Sequence, residues 1–288
     1  MNRTLKVVLA TGALCLSVTA PAFAGSVTQP GETVGIATAV PLPPGFYFVN
    51  TADYGCRNSS PNNVCVGVDI PVIAWATPWQ IFGGRLQFLV ATPVVEVGTQ
   101  DTGYASGMYN PFLAGQLAWD LGNGFNFSYA LGAYFGVKTD VGFDSTSLNQ
   151  RFALAYVKDG WSAAANVIWG IQLDDGVTST INPDFLNVDF SVTKTFGKWE
   201  IGPVGYYSTD LNEPFAGYAK QQQLSVGGLI GYNFGPVITQ VYVTTNVWEE
   251  NYGGKDTRVW GRIIVPLGNP FQTAAVAPPY PTKGPMLK

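Results

Sequence analysis

From Phe46 onward the chain runs in segments of about ten residues whose side chains alternate in polarity, the two-residue period of a β-strand. Between Phe125 and Phe135, one face carries Phe125, Phe127, Tyr129, Leu131, Ala133 and Phe135, and the other Asn126, Ser128, Ala130, Gly132 and Tyr134. Leu186, Val188, Phe190 and Val192 alternate with Asn187, Asp189, Ser191 and Thr193. Near the end, Val259, Gly261, Ile263 and Val265 alternate with Arg258, Trp260, Arg262 and Ile264. A helix would need apolar residues three and four apart, which these stretches lack. Twelve such segments are expected, near residues 46–54, 66–76, 84–95, 109–121, 125–137, 149–157, 161–173, 184–196, 199–209, 221–233, 237–247 and 257–267. The connections alternate strictly in kind. Five are tight, around 77–83, 122–124, 158–160, 197–198 and 234–236; six are longer and polar, at 55–65, 96–108, 138–148, 174–183, 210–220 and 248–256. An even number of strands with short turns at one rim and longer loops at the other is the pattern of an outer-membrane barrel. The expected fold is all-β: a transmembrane antiparallel up-and-down β-barrel of about 12 strands, spanning 44–268. Closure leaves no unpaired strand edge in lipid, where water cannot satisfy one.

Composition agrees. Charged residues make up 12% of the chain against 47% hydrophobic, half the roughly 25% charge of a soluble domain. No internal run approaches the roughly 20 apolar residues of a spanning helix. Trp119, Trp161 and Trp199 each stand beside a tight turn and Trp79 lies in another, as an aromatic girdle at the membrane interface requires. The chain has 15 Lys and Arg against 19 Asp and Glu, so no nucleic-acid footprint is expected. It has no histidine, which removes His-dependent triads, imidazole bases and His-ligated metals. Three cysteines are too few for a four-Cys zinc site. An enzyme, a metal and a cofactor are not expected.

Residues 1–24 read as a secretory signal peptide: Arg3 and Lys6, an apolar stretch from Val7 to Val18, then Ala22-Phe23-Ala24. A periplasmic N-terminal segment follows at 25–43, long enough to enter the barrel mouth, and a Pro-rich tail occupies 269–288. Cys56 and Cys65 enclose a polar, turn-rich stretch, and in an exported chain such a pair reads as a disulfide across a loop. Because a lipid-facing wall excludes charge, the charged residues on the less apolar strand faces are expected to line the lumen: Arg85, Asp120, Arg151, Asp189, Glu200, Arg258 and Arg262, joined by Tyr134 and Trp260. These residues either border a permeation path or form a salt-bridged filling; the sequence leaves both open.

Several short motifs carry a resemblance. Pro43-Pro44-Gly45-Phe46-Tyr47 precedes the first strand, and Ala76-Thr77-Pro78-Trp79 is followed by Gly83-Gly84-Arg85. Asn110-Pro111-Phe112, the hairpin from Trp119 to Phe125 and Tyr232-Asn233-Phe234-Gly235-Pro236 complete the set. In order and spacing, from about Pro43 to Leu267, the chain resembles the outer-membrane proteins named for the MetA pathway of phenol degradation. The resemblance implies a transporter-like barrel associated with aromatic or other hydrophobic compounds; the barrel pattern itself points to the outer membrane of a Gram-negative bacterium, in contact with lipid and lipopolysaccharide. The resemblance also implies passive passage of small hydrophobic or aromatic solutes, and supplies no catalytic residue. The alternatives are a structural or adhesive barrel with a filled lumen, or a small general porin.

Overall fold

In the computed structural model, residues 26–60, 62–99, 103–173 and 182–270 are described; the expected signal peptide, the acidic pair Asp174-Asp175 and the tail beyond Pro270 lie outside them. The β-segments are β1 (Gly45–Arg57), β2 (Val64–Ile81), β3 (Gly84–Ala91), β4 (Val94–Thr99), β5 (Gly103–Met108), β6 (Phe112–Gly122) and β7 (Phe125–Tyr134). They continue as β8 (Ser147–Lys158), β9 (Trp161–Gln172), β10 (Phe185–Phe196), β11 (Trp199–Asp210), β12 (Gln222–Asn233), β13 (Ile238–Glu250) and β14 (Asp256–Gly268). All pairings are antiparallel, and β14 returns to pair with β1, which also pairs with β2, so the sheet closes.

Two pairs of segments count once each. β2 pairs with β3 and then with β4, so β3 and β4 are a single wall strand interrupted at Thr92-Pro93. β5 and β6 are likewise one strand, broken at Tyr109-Asn110-Pro111. Proline has no N–H for the ladder, which accounts for both breaks. Asn110 bridges the second: its Nδ2 donates to the carbonyls of Phe135 (2.9 Å) and Phe143 (2.7 Å), and its Oδ1 accepts the Phe143 amide (2.8 Å). The wall therefore has twelve strands. The polar connection expected at 96–108 is instead largely the β4–β5 hairpin, which extends the wall beyond the rim. Val95 and Val97 alternate with Glu96 and bury on its inner face, an alternation that continues the strand rather than ending it.

The tight turns carry the backbone signature of short hairpin loops. Phe82-Gly83, Asn123-Gly124 and Asp159-Gly160 each place two successive residues at positive φ, as a type I′ turn demands of a twisted two-residue hairpin. Around that rim the aromatics cluster. Trp119 stacks on Phe127, Trp199 packs edge-on against Tyr232, Phe46 stacks on Trp75, and Lys194 lies 4.9 Å over the Trp161 ring. The outer face between the rims is apolar and exposed, with Leu131, Leu154, Ile230, Val241 and Ile263 among its members. Their neighbours in sequence turn inward. The Cys56–Cys65 disulfide is present, and its half-cystines face each other in the β1–β2 register, so it staples the end of the ladder rather than spanning a wide loop.

Candidate functional site

The lumen wall mixes polar and apolar side chains, and the lumen is not empty. Residues 26–42 run through it from the long-loop end to the short-turn end, beyond the mouth position expected for 25–43. Thr28, Val34 and Ala39 are almost fully enclosed. The segment turns repeatedly on itself, with Glu32 N bonded to Gln29 O, Val34 N to Gly31 O and Ile36 N to Thr33 O. Gly31 has φ +96, and a Cβ there would stand 2.8 Å from Tyr206 and 2.9 Å from Trp260; only glycine suits both the backbone and the space.

Wall side chains satisfy this segment's backbone, as burial requires. Asp189 on β10 accepts the Gly31 and Thr33 amides at 2.9 and 2.8 Å and the Thr33 hydroxyl at 2.7 Å. Arg262 on β14 donates to the carbonyls of Glu32 and Val34, and also to Thr51 Oγ1, Gln240 Oε1 and Tyr242 OH. Asn166 on β9 donates to Thr33 O and Ile36 O, and Gln116 on β6 donates to Thr38 O. Val34 also packs in an apolar cluster with Val204, Tyr206, Leu229, Tyr242 and Trp260. A second polar group near the long-loop end pairs Arg258 with Asp53 and Asp256, while Gln29 donates to Asp53.

The expected lumen residues thus divide by role. Tyr134, Arg151, Asp189, Arg258, Trp260 and Arg262 meet the inner segment or the ion pairs beside it. Glu200 sits nearer the short-turn rim, accepting Thr193 Oγ1 and Gln240 Nε2. Arg85 donates to Thr77 O at that rim. Asp120 is exposed and caps the turn through the Gly122 amide at 2.8 Å, so its place is the hairpin rather than the lumen interior. The list drawn from strand alternation omits Glu32, Asp53, Asn166 and Gln116. Glu32 lies outside any strand, but Asp53 shares with Thr51 and Arg57 the inward alternation of β1, a signal the sequence carries.

The segment is clamped most heavily on the β10–β14 side. On the opposite side a cavity of about 170 Å³ remains, bordered by Val40, Leu42, Val49, Ile70, Val72, Leu89, Phe112, Ala114, Ala130, Ala153 and Ile168. Its polar edge includes Glu32, Gln87, Tyr134 and Arg151. A smaller cavity of about 60 Å³ lies toward the long loops, among Val27, Arg57, Val66, Tyr109, Tyr252 and Arg258. Glu32, Ile70 and Tyr134 border both. Among the described residues, no group of three or more His, Cys, Asp or Glu is placed to hold a metal ion.

The family profile described as "Putative MetA-pathway of phenol degradation" matches residues 35–263, nearly the whole barrel. The chain belongs to this family. No curated protein sequence matches it. Among solved structures, an outer membrane channel from Pseudomonas putida F1 superposes with a TM-score of 0.63 at 13% identity, covering 83% of this chain and 99% of that one. The translocator domain of the autotransporter NalP from Neisseria meningitidis follows at 0.48 and 10%, covering 79% and 90%. The CymD monoaromatic hydrocarbon channel gives 0.45 and 8%, covering 83% and 93%. The first of these shows that this family member has the fold of an outer-membrane barrel.

Proposed function

We propose that this barrel passes small hydrophobic or aromatic molecules across the outer membrane without energy coupling. The observation that carries the reading is the apolar chamber beside the inner segment. At about 170 Å³ it matches a single aromatic ring, since a dry cavity of about 150 Å³ lined by Leu, Ile and Phe takes up benzene. Solute enters from the long-loop side, rests against Phe112 and Ile168, and leaves toward the short-turn rim past Val40 and Leu42. The nine wall residues singled out from the sequence hold the segment that shapes this chamber or edge the two rims. The pathway for which the family is named degrades phenol, an aromatic compound, which supports the cargo class.

A general porin fits poorly, because residues 26–42 occupy the lumen. A structural barrel with a filled lumen is the competing reading, and that same segment favours it. Uptake separates the two. Cells lacking the protein should take up monoaromatic compounds more slowly than complemented cells at low external concentration, where outer-membrane passage limits the flux. Equal uptake across a broad panel would leave the filled structural barrel standing.

A further inference from the structure

The polar edge of the chamber is built around one cation. Arg151 projects inward from β8, and its Nη1 lies 2.8 Å from Glu32 Oε1. Its Nη2 donates to Tyr134 OH at 3.2 Å, its Nε donates to Asn149 Oδ1 at 2.8 Å, and its guanidinium carbon stands 4.4 Å over the Phe112 ring. Tyr134 and Phe112 are themselves in contact, with ring centroids 4.6 Å apart. Every wall partner of Arg151 named here is neutral. The carboxylate that neutralises it comes from the inner segment, not from the barrel, and Glu32, Arg151, Phe112 and Tyr134 all border the chamber.

This arrangement sets a guanidinium, a phenol and an aromatic face on a pocket whose remaining wall is mostly Ala, Val, Leu and Ile, with Gln87, Gln116, Ser128 and Asn166 among the polar exceptions. A planar carboxylate is the natural complement of a guanidinium, and a ring attached to it would lie along Phe112 inside the apolar chamber. We infer that the chamber takes small aromatic monocarboxylates, of which benzoate is the simplest, with the solute carboxylate replacing that of Glu32 on Arg151. This rests on the chamber being the solute site. Glu32 then acts as a built-in stand-in for the cargo: a neutral aromatic binds with the Glu32–Arg151 pair intact, whereas an aromatic acid must displace Glu32. Displacement breaks no covalent bond; Glu32 takes up one proton from water as it leaves Arg151, so the cation keeps a single carboxylate partner and no lone buried anion remains.

The test compares 4-fluorobenzoate with 4-fluorotoluene on the refolded full barrel in detergent, by fluorine NMR titration, in the wild type, Glu32→Gln and the double variant Glu32→Gln with Arg151→Met. Heat-modifiable migration on a gel confirms that each barrel is folded, and pairing the two substitutions avoids leaving Glu32 as a lone buried charge. The benzoate-to-toluene affinity ratio should rise about tenfold in Glu32→Gln, the size of one charge-assisted hydrogen bond gained, and should fall about tenfold below wild type in the double variant. The same ratio in all three folded proteins, with fluorotoluene binding throughout, would overturn the carboxylate assignment alone. Failure of the wild type to bind either probe would overturn the chamber reading and this inference with it.

Discussion

Asp189 shows how much a single lumen side chain organises. Its two oxygens accept three hydrogen bonds from Gly31 and Thr33, and bonds to a charged acceptor stabilise by about 1.5–3 kcal/mol each in favourable cases. We predict that Asp189→Ala, which leaves two backbone amides unanswered, loosens residues 29–36 while the barrel persists. Planar-bilayer recording should then show resolved conductance steps where the wild type is nearly silent; identical traces would mean the segment is held elsewhere. Gly31 belongs to the same lock, because no side chain fits between it and Tyr206 or Trp260. At this scale the sequence was partly legible. Asp189, Arg258 and Arg262 are visible as charges on otherwise apolar-alternating strands, since alternation alone assigns their face. What Asp189 and Arg262 bind is not visible, because Thr33 and Glu32 sit in a stretch with no strand period, 156 and 230 residues away in the chain from them.

At the level of the strand, the alternation of β7 and β10 divides the wall cleanly. Asn126, Ser128 and Ala130 are buried inward while Leu131 is exposed outward, and Asn187, Asp189 and Ser191 bury on β10. Arg placed at Leu131 or Ile263 should destabilise the barrel by about 2–4 kcal/mol if the position lies near the bilayer midplane, measured by urea titration in lipid vesicles. A cost near zero at both positions would contradict the assigned faces. The inner face does not offer a tolerant comparison. Ser128 is 3% exposed and donates to Thr38 O, so an Arg there meets the inner segment rather than water. Strand boundaries were readable wherever Asn-Gly or Asp-Gly closes a hairpin, because those pairs adopt two successive positive φ values most readily. The β4–β5 extension was not, because Thr99 and Gly103 look like loop residues although Val95 and Val97 just before them keep the strand period.

Over the whole molecule the barrel is a wall wrapped around its own N-terminal segment, and the two cannot be understood apart. Closure and outer apolarity follow from local patterns repeated twelve times, so the wall was legible from the sequence. The filled lumen was not, since it depends on which of many polar inward groups meet one irregular stretch of 17 residues, and no periodicity encodes that pairing. The segment is held most heavily against β10–β14, with further contacts from Gln116, Arg151 and Asn166, and the space left beside it is the chamber. The most direct measurement fills that space. Ala114 and Ala130 are 2% and 3% exposed, lie on adjacent strands and border the chamber. Phe at either position would occupy the volume of one ring without adding charge or touching the outer wall. In a strain lacking the protein, complementation with Ala114→Phe or Ala130→Phe should give a heat-modifiable barrel at normal abundance whose uptake of monoaromatic compounds at low concentration falls to that of the deletion strain. Full restoration of uptake by both folded variants would contradict passage through the chamber.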